Sequence, residues 1–220
     1  MDWALPFLHQ RFREQGPVRR RASPSAPSSP HLPVVELTTP RLVLRDWRDE
    51  DVVAFRALNA DPLVMRHFPN TLTAAESDAS ADRLRDSLSR AGFGWWALSL
   101  RGEPGFLGMV GLQQVTFTAS FTPAVEVGWR LTRAAWGQGF ATEAARAAIA
   151  FGFTSLGLSE IVSVTVPANQ PSRRVMKRLG FTHDAAFDFE HPRLPEGHPL
   201  RPHLLYRLSH QAWVNARREP

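Results

Sequence analysis

The 220-residue chain has no cysteine, one lysine (Lys177) and one tyrosine (Tyr206). Without cysteine there is no disulfide, no thiolate metal site and no thiol nucleophile, so an acyl-cysteine route is excluded. A lone lysine far downstream of any Gly-rich segment excludes a Walker phosphate loop, which needs Gly-Lys-Ser/Thr. No apolar run approaches the roughly 18–20 residues of a membrane helix. The N-terminal apolar stretch is short, and its arginines follow it rather than precede it, which argues against a signal peptide. What remains is ordinary for a globular chain: 43% hydrophobic and 21% charged residues, enough for one domain with a core plus an extension.

The net charge of +5 and a pI near 11.0 invite a nucleic-acid reading, but the charge is unevenly placed. Residues 1–33 hold five Arg against Asp2 and Glu14, a net of +3, so the body carries only +2. That balance suits an anionic cofactor and does not call for nucleic acid. Residues 1–33 stand apart in pattern too. Met1 to Gln15 has the apolar spacing of a short amphipathic helix. After Arg19-Arg20-Arg21, Pro24, Pro27, Pro30 and Pro33 recur every three residues, as in a polyproline II linker or a PxxP ligand. The expected division is an extension over 1–33 and a single domain over 34–220.

The most informative segment is Trp136-Gly137-Gln138-Gly139-Phe140-Ala141. Upstream, Val125 to Leu131 alternates with period two, placing Val125, Val127, Trp129 and Leu131 on one face and Glu126, Gly128 and Arg130 on the other. Downstream, Thr142 to Phe153 is a strong helix former. A strand, a side-chain-poor turn and a helix N-terminus aim backbone N–H groups and the positive helix end at one point, so an anion, a phosphate above all, is expected there. A dinucleotide fingerprint fits less well, because the spacing is G-x-G-x-A and the turn falls late in the chain.

A second block runs from Asn169 to Phe181. Asn169 reads as a helix cap, Pro171 as a first-turn residue and Gly180 as the C-terminal stop. Ser172, Val175, Met176 and Leu179 share one face, which leaves Ser172 as a hydroxyl on an apolar stripe. It either bonds back to a carbonyl of its own helix or faces a ligand. The remaining pattern alternates: a strand over 41–47, a helix over 50–58, and a helix over 73–91 entered through a Thr73–Glu76 capping box. Strands over 94–100, 106–117 and 124–131 follow, then a helix over 139–157, a strand over 160–166, a helix over 170–179, and strands near 181–189 and 203–209.

These two blocks resemble motif A and the N-x-x-A/S…GF block of the GNAT superfamily of N-acetyltransferases. Gly139 takes the central glycine, Ala141 the small terminal position, and Trp136 stands where Gln or Arg is usual. The W-G-x-G-x-A form, with E-V-G-W upstream, looks like the RimJ/RimL-like branch, which includes ribosomal-protein N-terminal acetyltransferases. The resemblance implies an α/β fold with a mixed central sheet of six to seven strands, helices on both faces, and a V-shaped splay between the 124–131 and 160–166 strands. It also implies acetyl-CoA as acyl-donor cosubstrate, no metal, and a cytoplasmic setting. The donor would be held by Trp129, Leu131, Gly137, Gln138, Gly139, Phe140, Ala141, Thr142, Asn169 and Ser172. The amides of Gln138 to Thr142 would cradle its pyrophosphate, and an N–H near Trp129 to Leu131 would polarise the thioester carbonyl.

Acetyl transfer to an amine needs a neutral nucleophile and a proton for the leaving thiolate. Glu126 is the candidate base, beside Gly128, where the missing side chain would leave room for substrate or water. Its alternative is an ion pair with Arg130 on the same face. Many GNAT enzymes place tyrosine seven residues after the motif asparagine. Met176 stands there, so Ser172 is the candidate acid, with water as the fallback. Arg133, Arg173 and Arg174 are either phosphate ligands or solvated surface. Phe68, Trp95 and Trp96 either line the acceptor pocket or belong to the core, and the histidine-containing loop 191–203 borders that pocket without metal-ligand spacing. An α-amine, with a pKa near 8 against about 10.4 for lysine, is the easier nucleophile at neutral pH. The expected acceptor is therefore a protein N-terminus first and a small amine second. A non-catalytic acyl-CoA-binding module is the competing class. Ribosome docking through residues 1–33 and a homodimer are further partner expectations, and no membrane association is expected.

Overall fold

A computed structural model of the chain describes residues 32–217. The helix and polyproline readings for residues 1–31 lie outside the described residues. In chain order the elements are β1 (Leu37–Thr38), β2 (Leu42–Arg45), α1 (Asp49–Ala60), α2 (Pro62–Met65), α3 (Ala74–Ala91), β3 (Trp95–Leu100), β4 (Gly108–Gln114) and β5 (Val125–Leu131). Then come α4 (Phe140–Thr154), β6 (Glu160–Thr165), α5 (Gln170–Arg178), β7 (Thr182–His183), β8 (Phe189–Glu190), β9 (Pro202–Ser209) and α6 (His210–Ala216). The strands form one nine-stranded sheet in the order β1-β2-β3-β4-β5-β6-β9-β7, with β8 also on β9. Among the described residues only β5 and β6 pair in parallel. Beyond the six to seven strands expected, the extra ones are two-residue pieces. The strands of four or more residues are β2, β3, β4, β5, β6 and β9.

The alternation along each strand sorts its side chains onto two faces. On one face Leu44 pairs with Leu98, Trp96 with Val110 and Leu112 with Val127, and α4 packs over them. Ala144, Ala145 and Ala148 of α4 are fully buried. At Gly152 a Cβ would come within 2.9 Å of Ile161 and 3.0 Å of Leu112. Small residues therefore let this helix lie directly on the sheet, where an added methyl would force the Ile161 and Leu112 side chains to shift. On the opposite face Arg45 of β2 reaches Asp51 of α1 at 2.7 Å, and Arg130 of β5 reaches Asn59 of α1 at 2.6 Å. Helices thus cover both faces.

Local signals explain several element ends. Thr73 and Glu76 form the reciprocal capping box of α3, and Asn169 caps α5 by accepting from the Ser172 N–H at 3.3 Å. The strand expected near 181–189 is instead broken into β7, a 3-10 turn over Ala185–Phe187 and β8. Asp184 causes the break: its carboxylate accepts from the Ala186 N–H at 2.9 Å, a local bond that competes with the ladder. The strand expected over 106–117 is laddered only over Gly108–Gln114. The short helices α2 and α6 have caps, Asp61 and Ser209, but too few turns to show a period.

Candidate active site

The Gly-rich turn enters α4 through two residues with positive φ, Gly137 (75°) and Gly139 (80°), the second being the helix N-cap. A Cβ on Gly137 would meet nothing within 4 Å, so glycine is required there by backbone conformation and not by crowding. The first helical bond runs from the Glu143 N–H to the Gly139 carbonyl at 3.0 Å. The amides of Phe140, Ala141 and Thr142 precede it and have no partner within the helix. A residue from the other end of the sequence clasps this turn. Arg41 donates through Nη1 to the Gln138 carbonyl (3.0 Å) and through Nε to Glu143 (2.7 Å), and its guanidinium lies 4.7 Å from the Phe140 ring centroid. Burial pushes the Glu143 carboxyl up, but bonds from Thr39 and Arg41 outweigh it and hold it below the usual carboxylate range. The acid in the first turn is thereby neutralised before it can repel a phosphate.

Next to this turn the sheet opens. β5 and β6 share a single register pair, Glu126 with Val162. Immediately beyond it the Val127 carbonyl accepts from the Ser163 hydroxyl at 2.9 Å, a side chain standing where a ladder bond would be. Because strand polar groups alternate in direction, the Trp129 N–H and carbonyl face the same opening. The Leu131 carbonyl accepts from the Trp136 indole at 2.9 Å. A cavity of about 390 Å³ fills the opening. Its walls include Trp129, Leu131, Gly137, Gly139, Phe140, Ala141, Thr142, Asn169 and Ser172, which is the expected donor set apart from Gln138. That residue turns away: its side-chain amide donates to the Ala134 carbonyl at 2.7 Å. Arg66, Arg174 and Arg178 supply cations along the same wall. Of the other arginines considered, Arg133 is paired with Asp61 at 2.6 Å. Arg173 donates to the Pro167 carbonyl (3.1 Å) and the Tyr206 hydroxyl (3.2 Å). An extended pantetheine with an anionic end fits this combination of left-handed glycines, free amides and an unpaired strand edge.

A second cavity, of about 200 Å³, lies on the α1 face of the sheet and shares His67, Phe68, Trp129, Arg130, Asn169 and Ser172 with the first. Glu126 lines it. Burial raises the Glu126 carboxyl from its ordinary 4.5 to about 7, against the opposing pull of the Arg193 charge. The pairing of Glu126 with Arg130 does not form, since Arg130 crosses to α1 instead. The room expected beside Gly128 is also absent. A Cβ there would lie 2.4 Å from the Trp95 ring, so the glycine accommodates an indole that itself lines the cavity. Trp96, by contrast, is wholly core and donates to the Val35 carbonyl at 2.7 Å.

The Ser172 hydroxyl makes no hydrogen bond among the described residues and faces both cavities, so it is not tied back to its own helix. His191 and His203 line the second cavity. Burial lowers both, His191 to about 4, which keeps its ring neutral at physiological pH. Among the described residues no group of three or more His, Cys, Asp or Glu side chains could hold a metal. No helix among them is long and apolar enough to cross a membrane. Phe68 and Trp95 line the second cavity, one of the two places sequence reasoning allowed them. It missed Arg41, Arg66 and His67, and it gave Arg130 only as a partner for Glu126, because their contacts are distant in the chain.

A turn that presents unpaired amides to a splayed strand edge suits an extended ligand with an anionic end, and comparison with known proteins gives the family. The chain belongs to the GNAT acetyltransferases: the family model described as "Acetyltransferase (GNAT) domain" matches residues 41–182. It is similar to the FsC-acetyl coenzyme A-N(2)-transacetylase of Aspergillus fumigatus, 33% identical over 189 residues, which cover 81% of this chain and 77% of that protein. In structure it resembles a GNAT-family acetyltransferase from Bacillus anthracis, with a TM-score of 0.67 at 22% identity, covering 80% of this chain and 98% of that one. It also resembles Mycobacterium smegmatis RimJ in complex with CoA-disulfide, with a TM-score of 0.60 at 23% identity, covering 84% and 94%. The protein is thus an N-acetyltransferase of this family, which uses acetyl-CoA.

Proposed function

We propose that the protein transfers the acetyl group of acetyl-CoA to an α-amine by direct attack, with donor and acceptor bound together. The observation that carries this reading is the meeting of the two cavities at Trp129, Asn169 and Ser172. One cavity runs back to the phosphate turn, and the other holds a carboxyl that titrates near neutrality. The donor supplies an activated acyl group. The amides of Phe140 to Thr142 hold its pyrophosphate, and the Trp129 N–H, facing the splay, stabilises charge on the thioester oxygen. Glu126, at about 7, takes the amine proton, through water if the amine sits at the junction, because a base with a pKa near ambient pH is the most effective. The unbonded Ser172 hydroxyl delivers a proton to the leaving thiolate. Residues 34–220 form the transferase domain in this reading.

The acceptor is an α-amine on a small molecule or at a protein N-terminus. The relative at 33% identity has a name describing transfer to a nitrogen numbered N(2), which favours the small molecule. RimJ, at 23% identity, supports the fold. Calorimetric titration with acetyl-CoA and with dephospho-CoA, followed by thiol-release assays on α-amines and on peptides, tests the reading. Micromolar binding with amine-dependent thiol release is expected. Absence of acetyl-CoA binding would overturn it.

A further inference from the structure

β5 brings a second ionisable side chain to the acceptor cavity. Arg130 lies on the same face as Glu126, lines both cavities and is only 6% exposed. Its setting is built for it. Nη1 donates to Asn59 Oδ1 at 2.6 Å, the Asn59 amide donates to Ser77 Oγ at 2.8 Å, and the guanidinium lies 4.2 Å from the Phe68 ring centroid. Asn59 and Ser77 are both fully buried, so the group is held in one orientation. None of these partners is an anion. The Nε–H is buried without an acceptor, and Nη2 donates to none of the described residues.

The same chain shows what a compensated guanidinium looks like. Arg45 is as deeply buried, at 4%, and meets both oxygens of Asp51 at 2.7 and 2.9 Å. Arg56 uses the Nε/Nη2 edge, the one without an acceptor in Arg130, to grip both oxygens of Asp78. Burial pulls Arg130 down to about 10, so it keeps its charge at neutral pH. A buried cation is costly unless an anion joins it, and two parallel N–H donors match a carboxylate. The other nearby acid, Glu126, answers to Arg193.

We propose that Arg130 receives the carboxylate of the acceptor, which makes the acceptor a free α-amino acid rather than a peptide N-terminus. The inference rests on the acetyl-transfer reading above. Arg130 stands at the junction of the cavities, so a carboxylate held there leaves the adjacent α-amine beside Trp129 and Ser172, where the thioester arrives. Glu126 lies about 13 Å away at Cα, four strand residues along, and receives the proton through a chain of waters along the cavity they both line. A peptide N-terminus presents an uncharged amide in the carboxylate's place and leaves the guanidinium unanswered.

The test is thiol release from acetyl-CoA with the full chain, using a panel of L-α-amino acids and their matched carboxamides, in the native protein and in Arg130→Met. At least one amino acid should react with kcat/KM at least about tenfold above its carboxamide, the loss expected when a charged hydrogen bond goes unmade. Arg130→Met should lower the acid's kcat/KM at least about tenfold more than the amide's, so that the two converge, while the variant still unfolds cooperatively. Equal rates for acid and amide, an acid preference that survives Arg130→Met, or turnover confined to peptides would each overturn the proposal. A parallel fall of acid and amide in Arg130→Met would instead place the guanidinium on the thioester oxygen and overturn it too. A panel without turnover, with acetyl-CoA binding intact, sinks this proposal and leaves the transfer reading standing. Loss of acetyl-CoA binding in the native protein removes both.

Discussion

Replacing Glu126 by glutamine should make the protein more stable and less active, and the gain should depend on pH. The native carboxyl keeps its proton until about pH 7, while its ordinary value is 4.5. Between those values the folded state binds more protons than the unfolded one, so stability falls as pH rises through that window. The penalty is absent below about pH 4 and complete above 7. Two and a half pKa units at 1.36 kcal/mol each give an upper limit of about 3 kcal/mol. The side chain is only part-buried in the open cavity, which brings the expected gain to ~1–3 kcal/mol. Urea unfolding of Glu126→Gln and the native protein should therefore differ by that amount at pH 8 and by less than ~1 kcal/mol at pH 5. In the same variant kcat should fall by about 100-fold. The native kcat/KM should rise through pH 7 as Glu126 ionises, a limb the variant lacks. A stability difference independent of pH, or a variant that is less stable at pH 8 with its activity retained, would refute the reasoning.

Ser172→Ala should lower kcat by about 10- to 100-fold if the hydroxyl delivers the proton, with acetyl-CoA affinity within about threefold by calorimetry; an unchanged kcat would hand the role to water. Arg41→Ala removes the clasp on the phosphate turn and should weaken acetyl-CoA binding by about tenfold, or ~1.4 kcal/mol. Its ion pair with Glu143 is half-exposed on the arginine side, so thermal stability should change little. Gly128→Ala would drive a methyl into the Trp95 ring and should cost ~1–3 kcal/mol, read as a lower Tm together with a shifted tryptophan emission and a raised acceptor KM.

Features that depend on near neighbours in the chain could be read from residue pattern. The Gly137–Gly139 turn, the caps Thr73 and Asn169 and the two-residue alternation of β5 arise from φ preferences and hydrogen bonds spanning a few residues, so pattern alone locates them. The lining of the cavity beside this turn was legible for that reason, since most of it is one contiguous strand–turn–helix. The rest came from contacts between distant parts of the chain. Gly128 reads as open space until Trp95, from another strand, is seen to fill it. Arg130 reads as a partner for Glu126 until α1 offers Asn59 on the same face. Arg41 and Glu143 stand 102 residues apart, and the acceptor cavity gathers Phe68, Trp95, Glu126, Ser163 and His191 from separate elements. Whether a carboxyl titrates at 4.5 or about 7, and whether a guanidinium has an anion, depends on which distant surfaces exclude water from it. Desolvation and pairing are properties of packed space, and no local run of residues encodes them.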